Sequence, residues 1–351
     1  MRLIETVKAG IFALGALTVF APLASAQPHW SIEVHGGAGV IERAHMDAQT
    51  EAQYRAAMAA AVERGAAVLR SGGSSLDAID AVITGMEDDP LFNAGRGAVF
   101  GADGKNHLDA AIMDGRTRAA GAVADITHTR HPILLARAVM EHSPHVFLVG
   151  EGAETFGRTQ NLEQVDPSFF FTERRWQQLV RALQQRNLPI PQRPTGAPPA
   201  PQGFNDTNSD GHRFGTVGVV AMDTHGDLAA GTSTGGVEAK LWGRVGDSPV
   251  IGAGTYAQNG VCAVSATGTG EYFIRVGVAR DICARMELRH ESAERATQEV
   301  FAELDAIHGD GGVVVMDARG HGVWRFNTPG MYRARLEDGG QPLVQIFADE
   351  R

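Results

Sequence analysis

The chain has little cysteine, little tyrosine and tryptophan, and no excess of basic charge. Two cysteines in 351 residues are too few for a disulfide scaffold or a four-cysteine zinc site, and a chain of this length buries a sizeable core without such staples. Lys and Arg number 31 against 41 Asp and Glu, a formal net charge of −10, so the basic footprint that nucleic acid or polyphosphate requires is missing. Small molecules or peptides are the expected partners. No His-Glu-x-x-His, Cys-x-x-Cys or His-x-Glu with a distal cysteine pair is spelled, which argues against a zinc hydrolase, and an α/β-hydrolase triad is not expected either. Glycine, by contrast, is abundant: 43 residues, about 12% of the chain against an average near 7%, without collagen periodicity. That predicts many close backbone approaches in an ordered fold.

Long apolar runs are also missing, apart from one near the start. Residues 1–26 join a basic start (Arg2, Lys8) to an apolar stretch over 11–23 and the small triplet Ala24-Ser25-Ala26. This reads as a secretory signal cleaved before Gln27. The stretch is interrupted by Gly15 and Pro22 and falls short of the roughly 20 apolar residues of a membrane span. The expectation is an exported, periplasmic protein with no membrane contact once the signal is gone. Cys262 and Cys283 are expected as two buried free thiols.

Residues 32–34 read as a short strand running into His35-Gly36-Gly37-Ala38-Gly39, a tight turn near a site, since neither Gly-x-Gly-x-x-Gly nor a P-loop is spelled there. Residues 50–70 carry Tyr54, Met58, Ala61 and Leu69 at helical spacing and end at Gly72-Gly73. Ser74-x-x-Asp77 then caps a second helix striped by Leu76, Ile79, Val82, Ile83 and Met86. Residues 98–100 and 108–113 predict two strands around a hairpin turn at Ala102-Asp103-Gly104, and 133–141 and 172–185 two more helices. The proline-rich, then polar, segment 186–214 reads as a flexible exposed linker. Beyond it come strands at 216–222, 227–233 and 261–265, helices at 272–288 and 293–307, and a closing hairpin at 313–316 and 322–326. Helices in pairs and strands in hairpins disfavour a doubly wound nucleotide fold and point to an α+β class, two antiparallel sheets covered by helices.

The chemistry concentrates after the linker. Gly215-Thr216, Ser233-Thr234-Gly235-Gly236 and Thr267-Gly268-Thr269-Gly270 each place a hydroxyl where the backbone is open to a ligand. A threonine hydroxyl is a poor nucleophile without a base. If the bond before it is cut, the new α-amino group, with a pKa of about 7.7–8.0, becomes that base near neutral pH. Gly215-Thr216 lies where the linker meets a strand, which suits such a cut.

These residues resemble the plant-type L-asparaginase / isoaspartyl peptidase family, N-terminal nucleophile hydrolases with a threonine nucleophile. The resemblance is carried by Gly215-Thr216-Val217-Gly218, Thr232-Ser233-Thr234-Gly235-Gly236, Gly243-Arg244-Val245-Gly246-Asp247-Ser248-Pro249 and Thr267-Gly268-Thr269-Gly270-Glu271. Earlier matches are His35–Gly39, Phe92-Asn93-Ala94-Gly95-Arg96-Gly97 and Leu108-Asp109-Ala110-Ala111-Ile112-Met113-Asp114-Gly115. It implies a four-layer αββα sandwich made of an α chain over 27–215 and a β chain over 216–351, separated by self-cleavage at Gly215-Thr216. It further implies Thr216 as nucleophile, Thr234 orienting it, Thr267 and the N–H of Gly268 as oxyanion hole, and Asn93 in the nucleophile's surroundings. Arg244 and Asp247, with Val245, Gly246, Thr269 and Gly270 around them, would hold the α-carboxylate and α-ammonium of an aspartyl substrate. The loop of Met86, Glu87, Asp89, Phe92, Ala94 and Arg96 resembles the family's structural sodium loop. No cofactor for catalysis is implied, and the assembly expected is an (αβ)₂ dimer. The sequence departs from the family's pattern at Ala239, where an asparagine is common, and at Trp242, where tyrosine or phenylalanine is frequent; both bear on substrate preference. The alternatives are glycosylasparaginase and an exported aspartyl-ligand binding protein that catalyses nothing.

Overall fold

The structure is a computed structural model and describes residues 29–199 and 215–350. The leader and the second part of the linker, residues 200–214, lie outside the described residues. Twelve strands and eight α-helices are described in chain order. The first half holds β1 (Ser31–Gly39), α1 (Ala48–Arg70), α2 (Ser75–Glu87), β2 (Leu108–Asp114), β3 (Ala120–Ile126), α3 (Pro132–His142), β4 (Phe147–Val149), α4 (Gly150–Thr159) and α5 (Glu173–Gln185). The second holds β5 (Val217–Met222), β6 (Leu228–Thr234), β7 (Thr255–Gln258), β8 (Cys262–Gly268), α6 (Gly270–Val276), α7 (Val278–Arg289), α8 (Ala293–Ala306), β9 (Gly311–Asp317), β10 (Gly322–Phe326), β11 (Gly330–Glu337) and β12 (Leu343–Phe347).

An eight-stranded sheet runs β12-β11-β1-β5-β6-β2-β3-β4 and a four-stranded one β10-β9-β8-β7. The first four helices cover the outer face of the large sheet, α7 and α8 cover the small sheet, and β1, β5 and β6 pack face to face on β7, β8 and β9. This is the four-layer αββα arrangement. Both faces of the central strands are therefore buried: along β5, Val217, Val219 and Ala221 enter the core under α1 and α2, while Val220 and Met222 enter the core between the sheets. That is why residues 217–222 are an almost continuous apolar run rather than an alternating one.

The helices start where the caps stand. Asp47 accepts the Thr50 N–H at 2.7 Å and Ser74 accepts the Asp77 N–H at 3.1 Å, each satisfying an orphan donor of the first turn. Gly65 inside α1 has a packing reason, because a Cβ there would stand 2.3 Å from Ile32 and 2.6 Å from Val82. Its absence lets α1 settle on both α2 and β1.

Several expectations are corrected. The His35–Gly39 segment is no turn but the second half of β1, with a bulge between His35 and Gly37 against β11. Residues 98–100 form no strand; β2 pairs instead with β3 and β6. The large sheet is not wholly antiparallel, since β4 joins β3 in parallel. Gly277, at φ +70°, splits the single helix expected over 272–288 into α6 and α7. The hairpin of β9 and β10 does not close the chain, because β11 and β12 return to the large sheet. The first part of the linker is not loose: Arg193 pairs with Glu173 and lies over the Phe171 ring, and its guanidinium also donates to the Pro198 carbonyl. Finally, Cys262 and Cys283 are joined in a disulfide that ties β8 to α7.

Candidate active site

Thr216 immediately precedes β5, and its neighbour on the sheet, β6, ends at Thr234. Antiparallel pairing therefore brings the start of one strand to the end of the other. The two hydroxyl oxygens lie 2.9 Å apart, both residues being buried. Thr234 Oγ1 accepts the Gly236 N–H at 3.0 Å, leaving its own proton free to face Thr216. Gly231-Thr232-Ser233-Thr234-Gly235 spells Gly-x-Ser-x-Gly, but it is not a nucleophile elbow. Ser233 sits inside β6 with its hydroxyl donating to Glu87 at 2.7 Å, and no helix follows.

Asn93 organises the bond before Thr216. Its backbone N–H donates to the Gly215 carbonyl at 3.1 Å and its carbonyl accepts the Gly235 N–H at 2.9 Å. Its side chain donates to Gly236 O and accepts from Val99 N, both at 2.8 Å. A Cβ at Gly215 would stand 2.7 Å from Asn93 Cβ, so only glycine fits there. Thr267, at the end of β8, is fully buried and accepts the Ala38 N–H at 3.3 Å. Gly268 follows with Asp310 O, Phe273 and Gly311 packed around its Cα, and the Thr269 hydroxyl donates to Asp310.

Charge gathers beyond Gly236, where an added Cβ would stand 3.4 Å from Arg244 Nη1. Arg244 reaches Glu271 with two hydrogen bonds of 3.0 Å, rather than pairing with Asp247 in its own turn. A Cβ on Gly270 would meet Arg244 Nη2, Asp247 Oδ1 and Asp247 N at 2.8–2.9 Å; Gly270 thus keeps open the space where guanidinium and carboxylate converge. Asp247 is buried, and one of its oxygens has no hydrogen-bond partner among the described residues. Burial, only partly offset by its own backbone N–H and by Arg244, pushes its carboxyl up to about 7. Nearby, buried Lys240 donates to His107 O at 2.7 Å and stands 3.9 Å from Asp109, and burial lowers its pKa. Arg244 and Trp242 line both a 280 Å³ cavity shared with Asp109 and Lys240 and a 630 Å³ groove shared with Glu238, Thr269 and Glu271. Ala239 and Trp242 both have left-handed backbone, at φ +53° and +55°, and the Trp242 ring is 96% exposed at the rim.

The structure thus brings together Thr216, Thr234, Asn93 and Gly215 on one side, and Arg244, Asp247 and Gly270 on the other. Val245 lines the smaller cavity, and Gly246 gives the Arg244 guanidinium room, a Cβ there standing 2.8 Å from Nη1. Sequence reasoning missed the Glu271 contact and, having named Glu87 only for the cation loop, missed that its buried side chain accepts from Ser233 and from Ile133 N. The loop of Met86, Glu87, Asp89, Phe92, Ala94 and Arg96 turns tightly. Met86 O accepts Asp89 N, Asp89 O accepts Phe92 N, and Glu87 O accepts Arg96 N at 2.6 Å. Pro90 O and Phe92 O converge on Gly97, each 2.7 Å from where its Cβ would be. Backbone oxygens with a second lone pair are the donor type a hard cation takes.

This sandwich, with a buried threonine pair at a strand start and a guanidinium–carboxylate cluster near Gly236, is the architecture of an N-terminal nucleophile hydrolase. The asparaginase family model matches residues 28–346, and the chain belongs to that family. It is 46% identical over 320 residues to an isoaspartyl peptidase of Escherichia coli strain K12, covering 91% of this chain and 96% of the relative. It is 40% identical over 326 residues to a probable isoaspartyl peptidase/L-asparaginase of Arabidopsis thaliana, covering 91% and 99%. A human isoaspartyl peptidase/L-asparaginase is 36% identical over 309 residues, covering 88% and 93%.

Proposed function

We propose that this protein is an exported, self-cleaving isoaspartyl peptidase and L-asparaginase with Thr216 as nucleophile. One observation carries the reading: the Thr216 hydroxyl lies 2.9 Å from that of Thr234, directly after a glycine whose carbonyl accepts an N–H from Asn93. In self-cleavage the Thr216 Oγ attacks the Gly215 carbonyl carbon, the Asn93 N–H stabilising the oxyanion that develops. The C–N bond breaks, the acyl group passes to oxygen, and water hydrolyses the ester. The freed α-amino group of Thr216 then accepts the hydroxyl proton.

In turnover the same oxygen attacks the side-chain carbonyl of the aspartyl unit. Thr267 and the Gly268 N–H stabilise the oxyanion, a role in which losing one donor typically costs about 2.7–4 kcal/mol. The amine leaves with a proton, and water releases aspartate. Arg244 holds the α-carboxylate, and Asp247, whose buried oxygen lacks a partner among the described residues, holds the α-ammonium. The leaving group then lies toward the groove of Trp242, Glu238 and Thr269. The disulfide suits an oxidising compartment and so supports export. We further assign a structural Na⁺ to the carbonyls of the Met86–Arg96 loop and an (αβ)₂ assembly to the processed chain.

The test is intact mass and N-terminal sequencing of purified wild type beside Thr216→Ala. Wild type is expected to yield a second chain beginning Thr216-Val217-Gly218 and to hydrolyse β-aspartyl dipeptides and L-asparagine. The variant is expected to stay whole and to lose roughly 10⁴-fold or more of kcat, as when a nucleophile is removed. A single uncut wild-type chain that binds aspartate would favour the binding-protein reading.

A further inference from the structure

β1 turns alternate residues toward the two cores, so Ile32 and Val34 pack under the helices while Ser31, Glu33 and His35 face the second sheet. His35 is the only buried histidine among the described residues. Its Nδ1 lies 3.1 Å from the Thr216 carbonyl oxygen and its Nε2 3.0 Å from Ser265 Oγ. Space is made for this ring by Gly218, where a Cβ would stand 2.2 Å from His35 Nε2 and 2.0 Å from Ser265 Oγ. The ring thus spans β1, β5 and β8, directly behind the residue that carries the nucleophile.

Proton counting gives these contacts a direction. A carbonyl oxygen only accepts, so the proton on the ring is at Nδ1. Burial drives the His35 pKa down to about 3, a shift the bond to Thr216 opposes, so the ring is neutral and Nε2 must accept. Ser265 therefore donates to Nε2 and turns its lone pairs toward Thr232, 2.7 Å away. Thr232 then donates to Ser265, and Thr255 to Thr232, again at 2.7 Å. Every proton points the same way, from Thr255 through Thr232, Ser265 and His35 to the Thr216 carbonyl. The acceptors these hydroxyls would otherwise take, the carbonyls of Gly231, Gly254 and Ser248, are farther off at 3.1–3.2 Å.

We propose that His35, fixed as the Nδ1–H tautomer by the Ser265–Thr232–Thr255 hydroxyl chain, is the positioning residue that holds Thr216 by its carbonyl for both self-cleavage and turnover. The inference rests on Thr216 being the nucleophile. Its physical need is clear: cutting the Gly215–Thr216 bond removes the covalent tether on one side of the nucleophile, and the new terminal residue must keep its Oγ aligned. A rigid donor on its carbonyl, braced across both sheets, fixes the residue where the chain no longer does. Thr216 itself lies before the first paired residue of β5, Val217, and chain ends that nothing ties down are where order is lost first.

The test compares His35→Asn with His35→Gln. Asparagine can place an amide N–H near the position of Nδ1, whereas glutamine reaches toward Ser265 and leaves the carbonyl without its donor. For His35→Gln, self-cleavage and kcat are each expected to fall roughly 10-fold or more, the loss of one well-placed hydrogen bond, with KM within about twofold of wild type. His35→Asn is expected to recover most of that loss. Two-bond ¹H–¹⁵N spectra of wild type follow the imidazole that does not titrate between pH 5 and 8, and it is expected to carry its proton on Nδ1. Equal rates in Asn and Gln variants, a loss confined to KM, or an Nε2–H tautomer would each overturn the proposal. The tautomer is read on wild type, so the answer stands even if both variants fail to fold. A wild-type protein that is never cut, or a Thr216→Ala variant that keeps its activity, would instead refute the nucleophile reading, independently of the tautomer.

Discussion

Around Thr216 each buried hydroxyl, and His35 with them, has hydrogen-bond partners, whereas in the charged cluster beside Arg244 and Lys240, Asp247, Asp109 and Glu238 each bury a carboxylate oxygen with none among the described residues. The difference separates two tasks. A nucleophile must be aligned before any substrate arrives, so its surroundings are satisfied from within the protein and resist rearrangement. A recognition wall must leave something unsatisfied for the ligand to complete. An unpartnered buried carboxylate costs folding free energy, and the charged group of a bound substrate recovers it. Under the proposed function the satisfied side aligns the nucleophile and the unsatisfied carboxylates are the groups a substrate's charge would complete.

Asp247→Asn breaks this contrast most strongly. Removing one member of a buried charge pair typically costs 3–5 kcal/mol, so KM for substrates with a free α-amino group is expected to rise by about 10²-fold or more. Stability should move the other way. The folded Asp247 carboxyl titrates at about 7 against an ordinary value of 3.8. Between those pH values the folded state keeps a proton the unfolded state has lost, so stability falls as pH rises through that window. Burial pushes Glu33 up in the same sense, to about 8. Wild-type Tm is thus expected to drop from pH 5 to pH 8 and the Asn variant to drop less, as scanning calorimetry can measure. An Asn variant with unchanged KM and the wild-type pH slope would place Asp247 outside the binding wall.

The disulfide tests the other side, where rigidity is claimed. It closes a loop with a separation of 21 residues, for which chain-entropy arguments give roughly 3 kcal/mol. Cys283→Ala is expected to lower Tm by several degrees while leaving kcat near wild type, because Ser265 and Thr267 lie farther along β8. Thiol titration of denatured wild type should find no free cysteine. Two free thiols would restore the sequence-based expectation.

What could be read in advance follows how far apart in the chain the deciding groups lie. The place of Thr216 at a strand start was legible because its signal is local: a glycine and a hydroxyl where a polar linker meets an apolar strand. The helices over 48–70 and 75–87 were legible for the same reason, since their stripes and caps lie within a few residues. Residues 98–100 misled because their apolar letters suit a strand, yet side-chain amides take its place: Asn93 Oδ1 accepts Val99 N, and Asn106 donates to Ala98 O and Val99 O. The glycine run after His35 hinted at a site but not at its partners, Thr216 and Ser265 being 181 and 230 residues away. The cysteine pairing depends on where β8 meets α7, and the Arg244–Glu271 contact on where the loop between β6 and β7 meets α6, which no short pattern encodes.

Glu271→Gln carries the smallest expected effect and sharpens the contrast most finely. Among the described residues Glu271 occupies the Arg244 fork, so under the proposed function a substrate carboxylate must take its place. Its side chain is 55% exposed, and pairs of that kind are worth about 0–1 kcal/mol. Removing the competitor is therefore expected to lower KM by at most about fivefold and to leave kcat unchanged. Arg244 holds the Glu271 carboxyl below its usual range, so the competition persists across neutral pH and should weaken with added salt in wild type but not in the variant. If KM rises instead, Glu271 aims Arg244 at the substrate rather than competing with it, and the binding wall is more preassembled than its unpartnered carboxylates imply.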